Sequence, residues 1–215
     1  MKRILIVDDH PVMRFGLSAL IRAEDDLELA GECGTAAEAM EFCERENPDL
    51  VTIDITLPDK SGLELIKDLK SWNSQLLMLV VSMHDESVYA ERVLRAGARG
   101  YVMKEEAPGN LIQGIREVLR GGVFVSASIS ARIVQQFADT SGSPDSPIAR
   151  LTDRELEVFR LIGEGLASRE IAGKLNISVR TIDAHRAHIK EKLGIGDATE
   201  LTHRAVKWVE TGSLG

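Results

Sequence analysis

Short apolar runs alternate with amphipathic stretches along the first 120 residues of this chain. The runs predict buried strands at 3–8, 27–33, 49–54, 76–82 and 100–103. The stretches between and after them have the helical period and predict helices at 11–24, 35–46, 61–71, 86–96 and 108–120. Strands that alternate with helices form βαβ units, so we predict an α/β fold with a flavodoxin-like, doubly wound, five-stranded parallel sheet in the order 2-1-3-4-5.

The pattern changes after Gly121-Gly122. Residues 128–138 have the period of one more helix, and residues 140–147 are rich in Ser, Pro and Gly, which is typical of a flexible linker. We therefore predict a first domain over 1–120, a linker helix and flexible linker over 121–147, and a second domain over 148–215.

The second domain shows helical periodicity throughout, which predicts an all-α, four-helix fold. Thr152 and Glu155 form a capping box that opens the first of these helices. The second helix follows Ser168, a third runs from Ser178 to Leu193, and the last spans about 198–210. A tight turn joins the second helix to the third. Two helices joined in this way indicate a helix-turn-helix.

Polar residues that suit one reaction follow four of the predicted strands. They are Asp8, Asp9, Asp54, Ser82 and Lys104. The carboxyl ends of parallel strands meet at one edge of a sheet, and the predicted order puts the first and third strands side by side. Mg²⁺ prefers oxygen ligands, and a lysine can hold a phosphoryl oxygen. The set therefore predicts a phosphoryl-acceptor site, although any one of these residues alone would be more typical of a helix cap or a surface position.

Residues 1–120 resemble the receiver domain of bacterial two-component response regulators. The resemblance rests on the start Ile6-Val-Asp-Asp-His-Pro11 and on the motif Asp54-Ile-Thr-Leu-Pro58-Asp-Lys-Ser-Gly62. It implies that Asp54 accepts a phosphoryl group from a sensor histidine kinase. It also implies that Asp9, Asp54 and the backbone carbonyl of Thr56 hold Mg²⁺, with Asp8 completing the acidic shell.

The resemblance assigns three further roles at this site. It implies that Lys104 pairs with the phosphoryl oxygens, and that Ser82 and Tyr101 form a switch pair. Phosphorylation would draw the Ser82 hydroxyl inward, and Tyr101 would then turn into the vacated space. Glu105 stands where other receiver subfamilies commonly have proline, so the peptide isomer at that bond stays open.

The second domain resembles the LuxR-type helix-turn-helix of the NarL/FixJ subfamily over 148–212. The matching segments are Leu151–Val158, Ser168–Ala172, Ser178–His185 and Lys192–Gly194. The resemblance implies that the third helix lies in the major groove of double-stranded promoter DNA. Asp183, Ala184 and Ala187 would face base edges. The remaining candidate DNA-binding residues are Ser178, Arg180, Thr181, His185, Arg186 and Lys190.

Asp183 departs from the subfamily pattern, because several members carry a basic or amide residue there. An aspartate can accept from cytosine N4 but repels phosphate. We therefore expect a DNA site that differs from the sites of relatives with lysine at this position.

The distribution of charge along the chain supports DNA binding by the second domain. The formal net charge of the chain is −8, which by itself disfavours a nucleic-acid ligand. Residues 1–147 hold 15 Lys+Arg against 24 Asp+Glu, whereas residues 169–192 hold six against three. A local basic patch of this kind attracts DNA despite the acidic remainder. A helical module that binds only other proteins is the alternative interpretation of the second domain.

Composition and start of the chain indicate where the protein works. Neither a signal peptide nor a membrane-spanning run is evident, so we expect a cytoplasmic protein, and the resemblance implies a bacterial one. Cys33 and Cys43 are the only cysteines and are interpreted as small buried apolar residues rather than a redox pair.

Taken together, the sequence predicts a response regulator that forms a homodimer when phosphorylated and reads half-sites about 10 bp apart. The resemblance suggests that the unphosphorylated receiver covers the recognition helix. RNA polymerase is a further candidate partner. A magnesium-dependent phosphatase is disfavoured because Thr56 stands where such an enzyme has its second acid, so the protein is not expected to be an enzyme beyond gaining and losing its own phosphoryl group. An interaction protein that works without phosphorylation is the other alternative.

Overall fold

The structure, a computed structural model, describes residues 1–138 and 147–211, and it divides into two compact units with bounds Met1–Thr140 and Ser141–Gly215. The strands are β1 (Lys2–Val7), β2 (Leu27–Cys33), β3 (Leu50–Ile53), β4 (Leu77–Ser82) and β5 (Gly100–Met103). The helices of the first unit are α1 (Pro11–Arg22), α2 (Ala36–Glu46), α3 (Gly62–Trp72), α4 (Glu86–Ala96), α5 (Ala107–Leu119) and α6 (Ala127–Ala138).

The five strands form one parallel sheet in the order β2-β1-β3-β4-β5, which confirms the predicted topology. Strand β1 pairs with β3 in a register that places Val7 opposite Ile53, so the residues that follow these two strands emerge side by side. Every residue of β3 and all but one of β4 are buried, as expected of strands covered by helices on both faces. One apolar cluster of the core joins Ile4, Ile6 and Leu50 to Leu111 and Ile115 of α5.

A short extended segment after α5 lies against β5 and is not among the predicted strands. Phe124 N–H donates to Arg99 O at 3.0 Å, and Tyr101 N–H donates to Phe124 O at 2.8 Å. These bonds form an isolated parallel bridge between Phe124 and Gly100. Gly100 is needed here, because a Cβ at this position would come within 2.6 Å of Phe124 O. The sheet edge at β5 is thus partly covered by the residues that lead into α6.

The second unit contains α7 (Asp153–Gly163), α8 (Ser168–Lys174), α9 (Val179–Leu193) and α10 (Ala198–Thr211), preceded by a 3₁₀ turn at Pro147–Arg150. This arrangement confirms the predicted helical domain. The predicted capping box at Thr152 and Glu155 is present. The Phe159 and Trp208 rings pack with their centroids 5.6 Å apart and join α7 to α10.

The turn between α8 and α9 has the geometry that a helix-turn-helix needs. Asn176 adopts φ 51°, a left-handed conformation that asparagine tolerates better than most residues. Ile177 N–H donates to Ala172 O at 3.0 Å, which closes the turn. Helix α8 begins one residue earlier than expected: Ala167 is its N-cap, and the Glu170 carboxylate accepts from Ala167 N–H.

The predicted flexible linker lies largely outside the described residues. Across the described ranges, no helix is long and apolar enough to cross a membrane.

Candidate metal and phosphoryl-acceptor site and candidate nucleic-acid interface

The structure brings the predicted carboxylates together at the carboxyl edge of the sheet. Asp8 and Asp54 follow the neighbouring strands β1 and β3, and Asp54 N–H donates to Val7 O at 2.9 Å. Their exposed fractions are only 1% and 3%. One oxygen each of Asp8, Asp9 and Asp54 and a ring nitrogen of His10 lie within 4.8 Å of one another. His10, which sequence reasoning did not single out, therefore borders the same nest.

Lys104 lies at the centre of this nest. Its Nζ is 2.7 Å from Asp54 Oδ2 and 2.7 Å from Asp8 Oδ2, and the residue is 4% exposed. Burial disfavours the charged lysine, but the charge and hydrogen bond of Asp54 outweigh burial and raise the pKa of Lys104. Burial raises the pKa of the Asp54 carboxyl, with the Lys104 charge acting against it. The lysine thus stays a cation beside the acceptor.

The oxygen atoms of the nest fit a hard divalent cation. Among the described residues, Asp8 Oδ2 and Asp9 Oδ1 are buried without a hydrogen bond of good geometry, even though Lys104 and His10 nitrogens lie within 2.7 Å and 2.6 Å of them. Asp8, Asp9 and Asp54 bring three carboxylates together beside the single ammonium of Lys104, so negative charge remains that a bound cation would compensate. The donor set is oxygen-rich, as Mg²⁺ requires.

Thr56 and His84 join the β3–α3 loop to the loop after β4. The Thr56 hydroxyl and His84 Nε2 are 2.9 Å apart, and the His84 ring lies against the Tyr89 ring with centroids 5.1 Å apart. This contact holds the loop that carries the Thr56 carbonyl. No sequence signal marked His84, because its place depends on the path of a loop.

Tyr101 is turned inward, with 2% of its surface exposed. Its hydroxyl donates to His84 O at 2.7 Å. Burial strongly raises the pKa of the Tyr101 phenol, so it remains a neutral donor. This is the inward position that the resemblance gives to Tyr101 in the switch pair. Ser82, also buried, lies between Asp54 and Tyr101 at the end of β4.

The β3–α3 loop is held from both sides. Gly62 N–H donates to Ile55 O at 2.8 Å, and a Cβ on Gly62 would lie 2.0 Å from Asp54 O. Asp59 accepts from Ala36 N–H at 2.9 Å and Ala37 N–H at 3.0 Å, so the loop caps α2. The motif residues around Asp54 therefore fix the loop as well as supplying its chemistry.

Helix α9 presents the predicted nucleic-acid face. Its apolar side is buried through Ile182, Ile189 and Leu193. The exposed predicted residues are Ser178, Arg180, Thr181, Asp183, Ala184 and Ala187, and the half-buried ones are His185, Arg186 and Lys190. The Ser178 side chain accepts from Thr181 N–H at 3.1 Å and is therefore the N-cap of α9.

The cations of the second unit fall into two groups. Arg154 pairs with Glu157 at 2.7 Å, and Lys192 pairs with Glu155 at 2.6 Å. Within the described part of the chain, Arg180, Arg186 and Lys190 form no ion pair, and neither do Arg169 and Lys174 on α8. Lys192 joins α9 to α7, and Arg154 also donates to Leu175 O at the end of α8, whereas the unpaired cations leave positive charge available to an outside ligand.

Two polar residues of α9 have particular environments. Burial and the nearby Arg154 charge lower the pKa of His185, so this ring is neutral at physiological pH. Asp183 is exposed and forms no ion pair with any described residue. It therefore projects a free carboxylate from a face that is otherwise flanked by cations.

Both halves of the chain match known families. Residues 4–116 match the response regulator receiver domain, and residues 149–205 match the bacterial regulatory proteins of the LuxR family. The oxygen regulatory protein NreC of Staphylococcus carnosus is 33% identical over 210 residues, covering 95% of this chain and 97% of that protein. NreC of Staphylococcus aureus strain JH9 is 34% identical over 211 residues, with shares of 95% and 97%.

Solved structures give the same result. RcsB of Salmonella enterica serovar Typhimurium, bound to promoter P1flhDC with the phosphomimetic BeF₃⁻, superposes with a TM-score of 0.73 at 26% identity and covers 96% of this chain and 98% of that one. A LuxR-family response regulator from Aurantimonas sp. SI85-9A1 is 34% identical with a TM-score of 0.59, covering 64% of this chain and 98% of that one. The chain belongs to the NarL/FixJ family of two-component response regulators, which join a receiver domain to a LuxR-type helix-turn-helix and regulate transcription.

Proposed function

We propose that this protein accepts one phosphoryl group on Asp54 from a sensor histidine kinase, and that the phosphorylated form dimerises and binds promoter DNA through α9. The observation that carries the proposal is the buried Asp8–Asp54–Lys104 cluster at the carboxyl edge of the sheet. A buried ion-pair cluster is weak evidence of a structural role, because well-packed apolar residues of similar volume often stabilise a fold equally well or better. The protein would work in the cytoplasm, and its chemistry would be limited to its own phosphorylation and dephosphorylation.

Each residue of the site has a part in that transfer. An Asp54 carboxylate oxygen attacks phosphorus, and the bond to the kinase histidine breaks. Lys104, held 2.7 Å from Asp54, pairs with a phosphoryl oxygen, and the Ser82 hydroxyl donates to another. Asp9, Asp54 and the Thr56 carbonyl, with Asp8 behind them, would hold Mg²⁺. When bound, this ion offsets the repulsion between carboxylates and the incoming anion.

The unpaired cations of α8 and α9 support DNA as the ligand of the second unit. Arg180 and Thr181 lie at the N-terminal end of α9, where the helix dipole favours phosphate, and Arg186 and Lys190 lie further along it. Ala184 and Ala187 are small and exposed, which suits contact with thymine methyl groups. The free Asp183 carboxylate would be repelled by phosphates, so we assign it to a base edge and expect it to accept from cytosine N4.

The acceptor is tested by weighing the intact chain after incubation with Mg²⁺ and acetyl phosphate, beside Asp54→Asn. We expect one phosphoryl group on the wild type and none on the variant, and removal of Mg²⁺ with EDTA should abolish the addition. Addition to Asp54→Asn would place the acceptor elsewhere. If neither protein gains mass, a protein that acts without phosphorylation becomes the better interpretation.

DNA binding is tested by selecting sequences from a random duplex library with the phosphorylated protein. The selected site should bind the phosphorylated wild type at least about tenfold more tightly than Asp54→Asn, a coupling typical of two-state regulators. Equal affinities would rule out control by phosphorylation. A parallel selection with Asp183→Asn should lose the preference for cytosine at one position of each half-site, and an unchanged consensus would refute the role given to Asp183.

A further inference from the structure

The N-terminal half of α6 is tied to the first turn of α4. Ser126 N–H donates to Glu86 Oε1 at 2.8 Å, and Arg132 Nη2 donates to Ser87 O at 2.7 Å. Ile129, in the first turn of α6, is buried, with 3% of its surface exposed. The Ser126 hydroxyl accepts from Ile129 N–H at 3.3 Å and caps the start of α6. Two polar contacts and one buried apolar side chain therefore dock α6.

The segment before α6 is anchored more firmly than α6 itself. Phe124 bonds through its backbone to both sides of Gly100, and its ring lies over Gly114, whose added Cβ would come within 3.0 Å of it. The docking of α6, by contrast, leaves Arg132 Nε buried without an acceptor among the described residues. An unsatisfied buried donor costs free energy, so the docking of α6 carries a penalty.

The α4 residues that hold α6 are continuous with the phosphoryl switch. Ser82 lies beside Asp54, His84 O accepts from the Tyr101 hydroxyl, and the Asp85 side chain accepts from Ser87 N–H at 2.7 Å. The run 82–87 therefore has the acceptor site at one end and both α6 contacts at the other. If Ser82 moves toward a phosphoryl group on Asp54, residues 82–87 connect that displacement to the residues that contact α6.

We propose that α6 is a latch on α4, closed when Tyr101 is inward, and that phosphorylation of Asp54 favours the closed latch. The inference rests on the phosphoryl acceptance proposed above. The structure has the inward Tyr101 and the docked α6 together, as the latch requires. Because α6 is the last described helix of the first unit, closing the latch fixes the end of that unit against α4.

The latch is tested by hydrogen exchange on the full-length chain, with Mg²⁺ and with or without BeF₃⁻. Binding of BeF₃⁻ should slow amide exchange in the first turns of α6 by about five- to tenfold, the effect of one or two net hydrogen bonds. Intact mass after acetyl phosphate and Mg²⁺ is measured on the same protein preparation without BeF₃⁻, so a receiver that accepts no phosphoryl group is recognised separately. Phosphoryl acceptance with unchanged exchange in α6 would overturn the latch.

Variants test the coupling in the reverse direction. Glu86→Ala and Arg132→Ala should each raise the BeF₃⁻ concentration for half-saturation by about fivefold, because linkage between two equilibria is reciprocal. Glu86→Gln keeps an acceptor for Ser126 N–H and should retain most of the response. Arg95→Ala, which breaks only the Glu91 pair on the outer face of α4, is the matched control and should change nothing. Unchanged BeF₃⁻ saturation in both latch variants, with α6 undocked, would refute the proposal.

Discussion

At the scale of single residues, Gly62 decides whether the acceptor loop can form. Its missing side chain leaves room for the Asp54 carbonyl, which would lie 2.0 Å from a Cβ. Gly62→Ala should therefore lower the free energy of unfolding by about 1–3 kcal/mol, the usual cost of overpacking, and slow phosphorylation by acetyl phosphate. Urea denaturation measures the first effect and intact mass over time the second.

Gly109 provides the control for this substitution. It lies in α5, and a Cβ there would meet no atom within 4 Å. Gly109→Ala should leave phosphorylation unchanged and stabilise the chain by up to about 1 kcal/mol, because alanine favours helix more than glycine does. Equal losses in both variants would show that the Gly62 contact is not the cause.

Glu155 makes the second unit sensitive to acid. Burial disfavours its charge, but hydrogen bonds from Lys192 and from Thr152 outweigh burial and lower the pKa of Glu155. A lowered pKa in the folded state means that the unfolded chain takes up the proton more readily. The stabilisation is therefore complete above the ordinary glutamate pKa, about 4.3, and disappears as the pH falls through the folded value.

Glu155→Gln isolates this effect. At pH 7 the variant should be less stable by about 1.5 kcal/mol, the lower bound for a hydrogen bond to a charged group. The difference should shrink as the pH falls below about 4. Trp208 fluorescence during urea unfolding, recorded in a Trp72→Phe background, reports on the second unit. A difference that grows toward low pH would contradict the assigned sign.

Residues at strand ends were predictable, whereas residues in loops were not. Asp8, Asp54 and Lys104 follow apolar runs, and the parallel topology alone brings such positions together. The contacts of His10 and His84 depend on loop paths that no periodicity encodes. The inward position of Tyr101 is held by its hydrogen bond to His84 O, which depends on the same loop path.

At the scale of helices and strands, Asp59 joins the acceptor loop to α2. Its carboxylate accepts from two N–H groups at the start of that helix, and these hydrogen bonds keep the pKa of Asp59 low despite its partial burial. Asp59→Ala should cost about 1 kcal/mol, as the loss of a helix cap does, and should speed amide exchange in the first turn of α2.

Asp25 is the matched control for Asp59. It is an exposed aspartate that makes no hydrogen bond or ion pair with any described residue. Asp25→Ala should change stability by less than about 0.5 kcal/mol, as surface substitutions usually do. Thr35 is the N-cap of α2, and its side chain accepts from Glu38 N–H. If amide exchange in α2 were the same in Asp59→Ala as in the wild type, the Thr35 cap alone would be sufficient to hold the start of this helix.

The elements themselves were largely foreseen, because strong periodicity marks them. The five strands and the helices of both units agree with the sequence pattern to within a few residues. The bridge at Phe124 was missed since Val123-Phe-Val125 is too short to show a period. Ser168 was expected to precede α8, but Glu170 supplies the cap instead and frees the serine to become the first helical residue.

At the scale of the whole molecule, charge is divided between a negative first unit and a locally basic α8–α9 surface. DNA binding should therefore weaken steeply with salt. Lys190→Gln should reduce the slope of log affinity against log salt by about one, as expected for the loss of one phosphate contact. Titrations of the selected DNA site between low and physiological salt measure this slope.

Lys192→Gln is the control that separates contact from stability. Lys192 is paired with Glu155, so its loss should lower the stability of the second unit while changing the salt slope less than Lys190→Gln does. If the two variants had the same salt slope, unpaired charge would not distinguish DNA contacts on α9. The net charge of the whole chain would have argued against DNA binding, and only the count of charged residues over 169–192 reveals the basic patch.

The bridge at Phe124 has a consequence for how this receiver could be moved between proteins. A chain cut after residue 120, where the sheet and its five helices are complete, would leave the outer edge of β5 without Phe124 and expose the Tyr101 N–H. Bare sheet edges recruit strands from other chains and promote aggregation. Any fusion or domain exchange that keeps the receiver well behaved must therefore carry residues 123–125 along with it.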